Sequence, residues 1–135
     1  MENKEKRTQF WGADKEDDTL IKQILSGVKK ATACPKCQSG PDENDPYYDG
    51  PFDVDDLVTV YDGTCKKRCV IRITESYECM MSDIPEKLWR GEGVYSNADQ
   101  FREDHIKCWK DETEFDSTDE NLELVCWHFE LVRVF

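Results

Sequence analysis

Two short runs of strand-forming residues on either side of an Asp-Gly dipeptide constrain the fold more than any other feature. Leu57-Val-Thr-Val-Tyr61 precedes Asp62-Gly63, and Cys69-Val-Ile-Arg-Ile-Thr74 follows it. β-Branched and aromatic residues favour strands, and Asp-Gly favours a tight hairpin turn. Alternate residues of a strand share one face, so we expect the apolar positions of the second run to be buried together: Cys69, Ile71 and Ile73. The sequence therefore predicts an antiparallel hairpin.

Three helices are predicted around this hairpin. The first begins after Asp18, where Leu20, Ile21, Ile24 and Leu25 form one apolar stripe, and it ends at Ser26-Gly27, since glycine suits the left-handed position after a helix. The second begins near Pro85 and ends at Gly91. The third begins after Ser96 and places four residues on one side: Phe101, His105, Cys108 and Trp109.

The C-terminal segment is predicted to form a long strand. Between Leu122 and Phe135 the residues alternate in character. One face is expected to hold Val125, Trp127, Phe129 and Leu131, and the other Leu124, Cys126, His128 and Glu130. Helices together with strands of this kind predict an α+β fold.

The length indicates one domain, residues 1–135, with one long surface loop. Residues 34–56 contain four of the five prolines and many acidic residues, which is typical of a loop. No apolar run approaches the roughly 20 residues that cross a bilayer, so we expect no membrane partner. The polar N-terminus and an odd set of seven cysteines at irregular spacing favour a cytoplasmic location.

The charge of the chain argues against extended nucleic acid as a ligand. Thirty Asp and Glu residues oppose eighteen Lys and Arg residues, which gives a formal net charge of -12. Binding of a polyanion normally depends on a basic face that neutralises several phosphates. The composition therefore favours a small ligand.

A cation and a hydroxyl follow the first helix at a spacing of three residues. In Gly27-Val-Lys29-Lys-Ala-Thr32, the side chains of Lys29 and Thr32 would point to opposite faces of a straight strand. Joint action requires a bend, which the transition from helix to strand can supply. The alternative is a solvated lysine beside an ordinary strand threonine.

Several segments resemble, in order, the motifs of the ASCH domain family. Phe10-Trp11-Gly12 resembles its aromatic-glycine signature, and Leu25-Ser-Gly27-Val-Lys29-Lys-Ala-Thr32-Ala resembles its G-x-K-x-x-T/S motif. Later segments of the family are similar to Val60-Tyr-Asp62-Gly63, to Val70-Ile-Arg-Ile-Thr74-Glu75, and to Gly91-Glu92-Gly93 with Ser96 and His105. The long acidic loop and Cys34-Pro-Lys-Cys37 depart from the family pattern.

The resemblance implies a PUA-like (ASCH) mixed β-barrel with flanking α-helices. It also implies an RNA-linked function: some members are amidohydrolases acting on N4-acetylcytidine, and at least one is a ribonuclease. By this resemblance, the catalytic residues would be Lys29, Thr32 and Glu75. Substrate contacts are expected from Phe10, Trp11, Lys30, Arg72, Glu92, Ser96 and His105.

The implied chemistry is amide hydrolysis through a threonine nucleophile. A threonine hydroxyl needs an adjacent base, and Lys29 could serve if burial and nearby cations such as Lys30 and Arg72 lowered its pKa. Glu75 would protonate the leaving amine or activate water. The scheme requires no metal and no cofactor. The expected ligand is a small nucleoside or nucleotide, with single-stranded RNA as a further candidate and no obligate protein partner. The alternatives are a binding module for RNA or a nucleotide, and a ribonuclease.

Other motifs have both a functional and a structural interpretation. Cys34-x-x-Cys37 is half of a zinc site without a matching second half. Tyr47 and Tyr48 could stack on a base or anchor the loop. Lys66-Lys67-Arg68 could contact phosphate or form a charged turn. His128 is the weaker of the two candidate histidines.

Overall fold

Five strands form one curled mixed sheet in the computed structural model, which describes residues 5–135. The elements in chain order are β1 (Lys6–Phe10), α1 (Thr19–Leu25), β2 (Ala31–Pro35), β3 (Leu57–Asp62), β4 (Lys67–Met80), α2 (Glu86–Glu92), α3 (Ala98–Cys108) and β5 (Glu123–Val134), with a short 3-10 turn at Lys36–Gln38. The strand order is β1-β3-β4-β5-β2, so β1 and β2 are the two edges. β1 is parallel to β3, and the other pairs are antiparallel. The predicted α+β class is confirmed.

The two faces of the sheet carry two separate cores. On the inner face, α1 packs against the central strands and the long loop. The ten buried residues of this core are Ile21 and Ile24 of α1 together with Phe52, Val58, Val60, Cys69, Ile71, Ile73, Trp127 and Phe129. On the outer face, α2 and α3 cover the sheet around Ala31, Met81, Ile84, Leu88, Phe101, Leu122, Leu124 and Cys126. This division explains the sequence pattern, because alternate residues of β5 enter alternate cores.

The predicted hairpin is confirmed as β3 and β4. The pairing places Val58 opposite Ile71 and Val60 opposite Cys69. The two faces of β5 are also as expected between Leu124 and Phe129, whereas Leu131 lies beyond the cores and is 38% exposed.

The helices match the predictions with two local differences. Gly27, after α1, has a φ of 82°, as a left-handed helix terminator should. α2 includes Gly91 and ends at Glu92, one residue later than predicted, because Gly93 is the residue with a positive φ, 88°. In α3, Phe101 is fully buried, but Cys108 faces solvent rather than the sheet.

β1 is an edge strand that the sequence did not predict. Lys6-Arg-Thr-Gln9 has no apolar alternation, so its strand character comes from pairing with β3 rather than from its own side chains. No helix within residues 5–135 is long and apolar enough to cross a membrane.

Gly93 allows α2 to approach the segment that leads into β2. A Cβ at this position would lie 2.0 Å from the carbonyl oxygen of Val28, whereas a Cβ at Gly27, which also has a positive φ, would meet nothing within 4 Å. We expect Gly27→Ala to lower the free energy of unfolding by about 1 kcal/mol through backbone strain. Gly93→Ala should cost about 1–3 kcal/mol more through the backbone clash. Urea unfolding measures both, and equal losses would contradict the close approach.

Asp62 holds the hairpin turn through its carboxylate. Oδ1 accepts hydrogen bonds from the backbone N–H groups of Thr64 and Lys66, at 2.9 and 3.0 Å, and Oδ2 accepts one from Arg68 at 3.2 Å. Burial acts to raise the pKa of Asp62. The hydrogen bond that the Thr64 hydroxyl donates to Oδ1 at 2.6 Å, together with the bonds above, outweighs burial and keeps the pKa below the ordinary value of 3.8. Folding therefore favours the carboxylate, and this contribution to stability is lost as the pH falls through the lowered pKa.

Replacing Asp62 should thus have a pH-dependent effect. We expect Asp62→Asn to lower the free energy of unfolding by about 1–3 kcal/mol at pH 7. The difference from the wild type should shrink below about pH 4, when the carboxylates become protonated. Urea unfolding at a series of pH values measures it, with the exposed Asp111→Asn as a control. A difference that stays constant down to pH 3 would show that the charge of Asp62 is not the cause.

Candidate active site

A cavity of about 760 Å³ lies on the inner face of the sheet, lined by both edge strands. Residues of β1 and of β2 line it together with parts of the long loop and of the segment before β5. Its aromatic wall consists of Phe10, Trp11, Tyr48, Phe52, Trp127 and Phe129. Ligand pockets in proteins commonly measure about 300–1,000 Å³, so the cavity has room for a molecule of nucleoside size.

The long loop is held against the cavity by aromatic contacts. Trp127 donates a hydrogen bond from Nε1 to the carbonyl of Phe52 at 2.9 Å, and their rings lie 5.2 Å apart. Tyr48 packs edge-on against Phe52 at 5.6 Å and donates its hydroxyl to the carbonyl of Ser39 at 2.7 Å. Tyr48 is therefore both an anchor of the loop and part of the wall, whereas Tyr47 packs against Tyr61 at 5.0 Å.

Thr32 lines the cavity from β2. It pairs with Trp127 of β5 in the antiparallel register, so both side chains project to the inner face. The Thr32 hydroxyl forms no hydrogen bond with any group of residues 5–135, and the residue is half-buried. The hydroxyl is therefore available to a molecule in the cavity.

Lys29 lies two residues before β2 and is buried, with an exposed fraction of 5%. Its Nζ donates to the carbonyl of Ala31 at 2.8 Å and to Oε1 of Glu92 at 3.4 Å. It also lies 5.9 Å from the ring centroid of Phe10, which lines the cavity. Lys29 is thus bonded to the peptide group that joins Ala31 to Thr32, and its charged neighbour is a carboxylate rather than the expected cations.

Glu92 joins Lys29 to His105. Oε2 of Glu92 lies 3.5 Å from Nε2 of His105, and both side chains are largely buried. Nδ1 of His105 lies 2.8 Å from the carbonyl of Phe101, which can only accept, so Nδ1 carries a proton and Nε2 faces the carboxylate. The ring of His105 also stacks on Phe101 at 3.9 Å. Glu92 and His105, predicted as substrate contacts, do not line the cavity: Glu92 contacts the ammonium of Lys29, and His105 contacts Glu92.

Glu75 lies on the outer face of the sheet, away from the cavity. Simple alternation would place it on the inner face after Ile71 and Ile73. A β-bulge intervenes: β4 advances from Ile73 to Glu75 while its partner advances only from Phe129 to His128. This shift reverses the side-chain faces for the rest of β4. Glu75 consequently pairs with Lys87 of α2 at 2.6 Å, and this contact lowers the pKa of Glu75.

The other predicted contact residues fall into two groups. Phe10 and Trp11 line the cavity. Lys30, Arg72 and Ser96 are exposed and do not line it, and Arg72 forms an ion pair with Glu130. The sequence did not single out Trp127 and Phe129 as ligand contacts, although the alternation in β5 had placed them on one face.

No group of three or more His, Cys, Asp or Glu side chains within residues 5–135 is arranged to hold a metal ion. Cys34 and Cys37 border the cavity, and all seven cysteines are free thiols. Burial raises the pKa of Cys34 to about 12, which disfavours the thiolate that binds zinc.

Solved structures with a similar fold come from three bacteria. A protein of Enterococcus faecalis V583 has a TM-score of 0.77 at 21% identity, over 100% of this chain and 85% of its own. The ASCH domain of Lactobacillus crispatus JV V101 has a TM-score of 0.73 at 22% identity, over 95% of this chain and 80% of its own. The ASCH protein of Zymomonas mobilis has a TM-score of 0.57 at 11% identity, over 99% and 74% of the two chains. These likenesses establish the fold.

The sequence itself provides the family assignment. No curated protein matches the sequence at a significant level. The sequence model of the ASCH domain, in contrast, matches residues 6–133, nearly the whole chain. This match includes β1, both edges of the cavity and the buried cluster around Lys29. The chain therefore belongs to the ASCH domain family, and the predicted ASCH-type fold is confirmed.

Proposed function

We propose that this protein is an amidohydrolase that cleaves the exocyclic amide of an acylated pyrimidine nucleoside such as N4-acetylcytidine. The observation that carries the proposal is the position of Thr32. Its hydroxyl has no hydrogen-bond partner among residues 5–135 and faces an aromatic cavity of nucleoside size. The adjacent carbonyl, of Ala31, accepts a hydrogen bond from Lys29. The aromatic wall supports a planar ligand, because rings such as Trp127 and Phe129 can stack on a base.

In the first step, Oγ1 of Thr32 attacks the carbonyl carbon of the amide. The hydroxyl proton leaves as the new C–O bond forms, and Lys29 receives it. An ammonium group cannot accept a proton, so Lys29 first transfers one to the carboxylate of Glu92, 3.4 Å away. Glu92 thereby takes the role that the family resemblance suggested for Glu75, because it is the carboxylate in contact with Lys29.

In the second step, the C–N bond breaks and the exocyclic nitrogen leaves as an amine with the proton stored on Lys29 and Glu92. Water then attacks the acyl-Thr32 ester and gives one proton to the pair. The bond between the acyl carbon and Oγ1 breaks, Oγ1 of Thr32 takes that proton back, and the carboxylic acid is released. His105 lies on the far side of Glu92 and orients its carboxylate. The cycle needs no redox change, and the protein returns to its initial state.

Substitutions at Thr32 and at the two candidate glutamates test the roles directly. Hydrolysis of N4-acetylcytidine, followed by chromatography, should fall by about 10³-fold or more in Thr32→Ala, since the nucleophile is lost. Thr32→Ser should retain much of the rate because it keeps the hydroxyl. Glu92→Gln should lower kcat by about 10²–10⁴-fold, as expected for loss of a proton-transfer group.

Glu75→Gln is the matched comparison, because it makes the same chemical change on the other face of the sheet. We expect its rate to stay within a few-fold of the wild type. If Glu75→Gln abolished activity and Glu92→Gln did not, the proton-transfer carboxylate would be Glu75.

Binding of N4-acetylcytidine without turnover would instead favour a binding module, and cleavage of single-stranded RNA that depends on Thr32 would favour a ribonuclease. Thermal unfolding of each variant establishes that it is folded.

A further inference from the structure

The cavity has a one-sided charge distribution. Within the described residues, its lining contains no Lys and no Arg, but it contains four carboxylates: Asp42, Asp45, Glu112 and Glu114. Asp42, Glu112 and Glu114 are exposed and Asp45 is half-buried, whereas Trp127 and Phe129 are buried. We call these four carboxylates the mouth of the cavity.

The mouth is built from two segments that contact each other. Residues 42–45 belong to the long loop, and residues 112–114 follow α3. Gln38 donates from Nε2 to Oε2 of Glu112 at 3.1 Å, which ties the two segments together. Among residues 5–135, none of the four carboxylates forms an ion pair with a Lys, Arg or His side chain, whereas exposed carboxylates such as Glu78 and Glu130 do. Their charge therefore acts on whatever enters the cavity.

We propose that the mouth selects ligands by charge: among nucleosides that fill the cavity, those with a cationic group at the outer end bind best, and those with a phosphate bind worst. This inference rests on the proposed function in taking a nucleoside as the ligand. It adds that the preferred substrate is unphosphorylated and that an amine substituent improves binding.

The apolar wall directs a charged substituent to the mouth. Burying a charged group among rings such as Phe52, Trp127 and Phe129 would cost far more than leaving it in water. A nucleoside therefore places its uncharged base against the rings and its charged end toward the solvent. There a phosphate meets four negative charges, and an ammonium meets four opposite ones. Salt screens both interactions, with a Debye length of about 10 Å at 0.1 M.

Three ligands of similar size test the inference: N4-acetylcytidine, its 5′-monophosphate and its 5′-amino-5′-deoxy analogue. Binding is measured by tryptophan fluorescence in the Thr32→Ala protein, so that no ligand is consumed. At low salt the phosphate should bind about tenfold or more weakly than the nucleoside, and the amine several-fold more tightly. Both differences should shrink at 0.5 M salt.

The double variant Glu112→Gln/Glu114→Gln should reduce these differences. Glu86→Gln/Glu103→Gln is the matched control, because it changes the net charge equally on exposed positions of α2 and α3, which cover the outer face. Phosphate binding as tight as that of the nucleoside, or equal effects of the two double variants, would overturn the inference. If the wild type hydrolysed N4-acetylcytidine but bound the three ligands equally well, this inference would fall and the proposed function would remain. If none of the three ligands bound and none was hydrolysed, both would fall.

Discussion

The buried ion pair between Lys29 and Glu92 is the constraint on which the rest of the site depends. Two charges removed from water are tolerated only when they are paired and hydrogen-bonded, and losing one partner typically costs about 3–5 kcal/mol. Here the pair joins the start of β2 to the end of α2, and the carbonyl of Ala31 completes the contacts of the ammonium. The edge strand is thereby fixed beside the helices of the outer face while Thr32 remains turned toward the cavity.

The hairpin and the two faces of β5 could be predicted because their residues repeat with the period of a strand and lie next to recognisable turns. The position of Glu75 could not, since one bulged residue in β4 reverses the faces after Ile73, and no local pattern marks it. The sequence did not predict β1, because the strand with which it pairs, β3, lies far along the chain. The role of Glu92 depends in the same way on a contact with Lys29 across 63 residues, although its glycine-rich segment had marked it as part of the site.

The acidic composition and the cavity give a consistent account of the ligand. A net charge of -12 disfavours long polyanions, and the described lining of the cavity adds a local reason, since it offers carboxylates and no Lys or Arg. The long loop contributes both Tyr48 and part of the mouth.

The central claim is that Thr32 forms a covalent bond with the acyl group of the substrate. Mass spectrometry of a rapidly quenched reaction with N4-acetylcytidine tests it most directly, after digestion to locate the modified peptide. The account predicts that the peptide containing Thr32 gains the mass of one acetyl group and that Thr32→Ala shows no adduct. An active enzyme that accumulates no adduct on Thr32, even when hydrolysis of the ester is slowed at low pH, would contradict it.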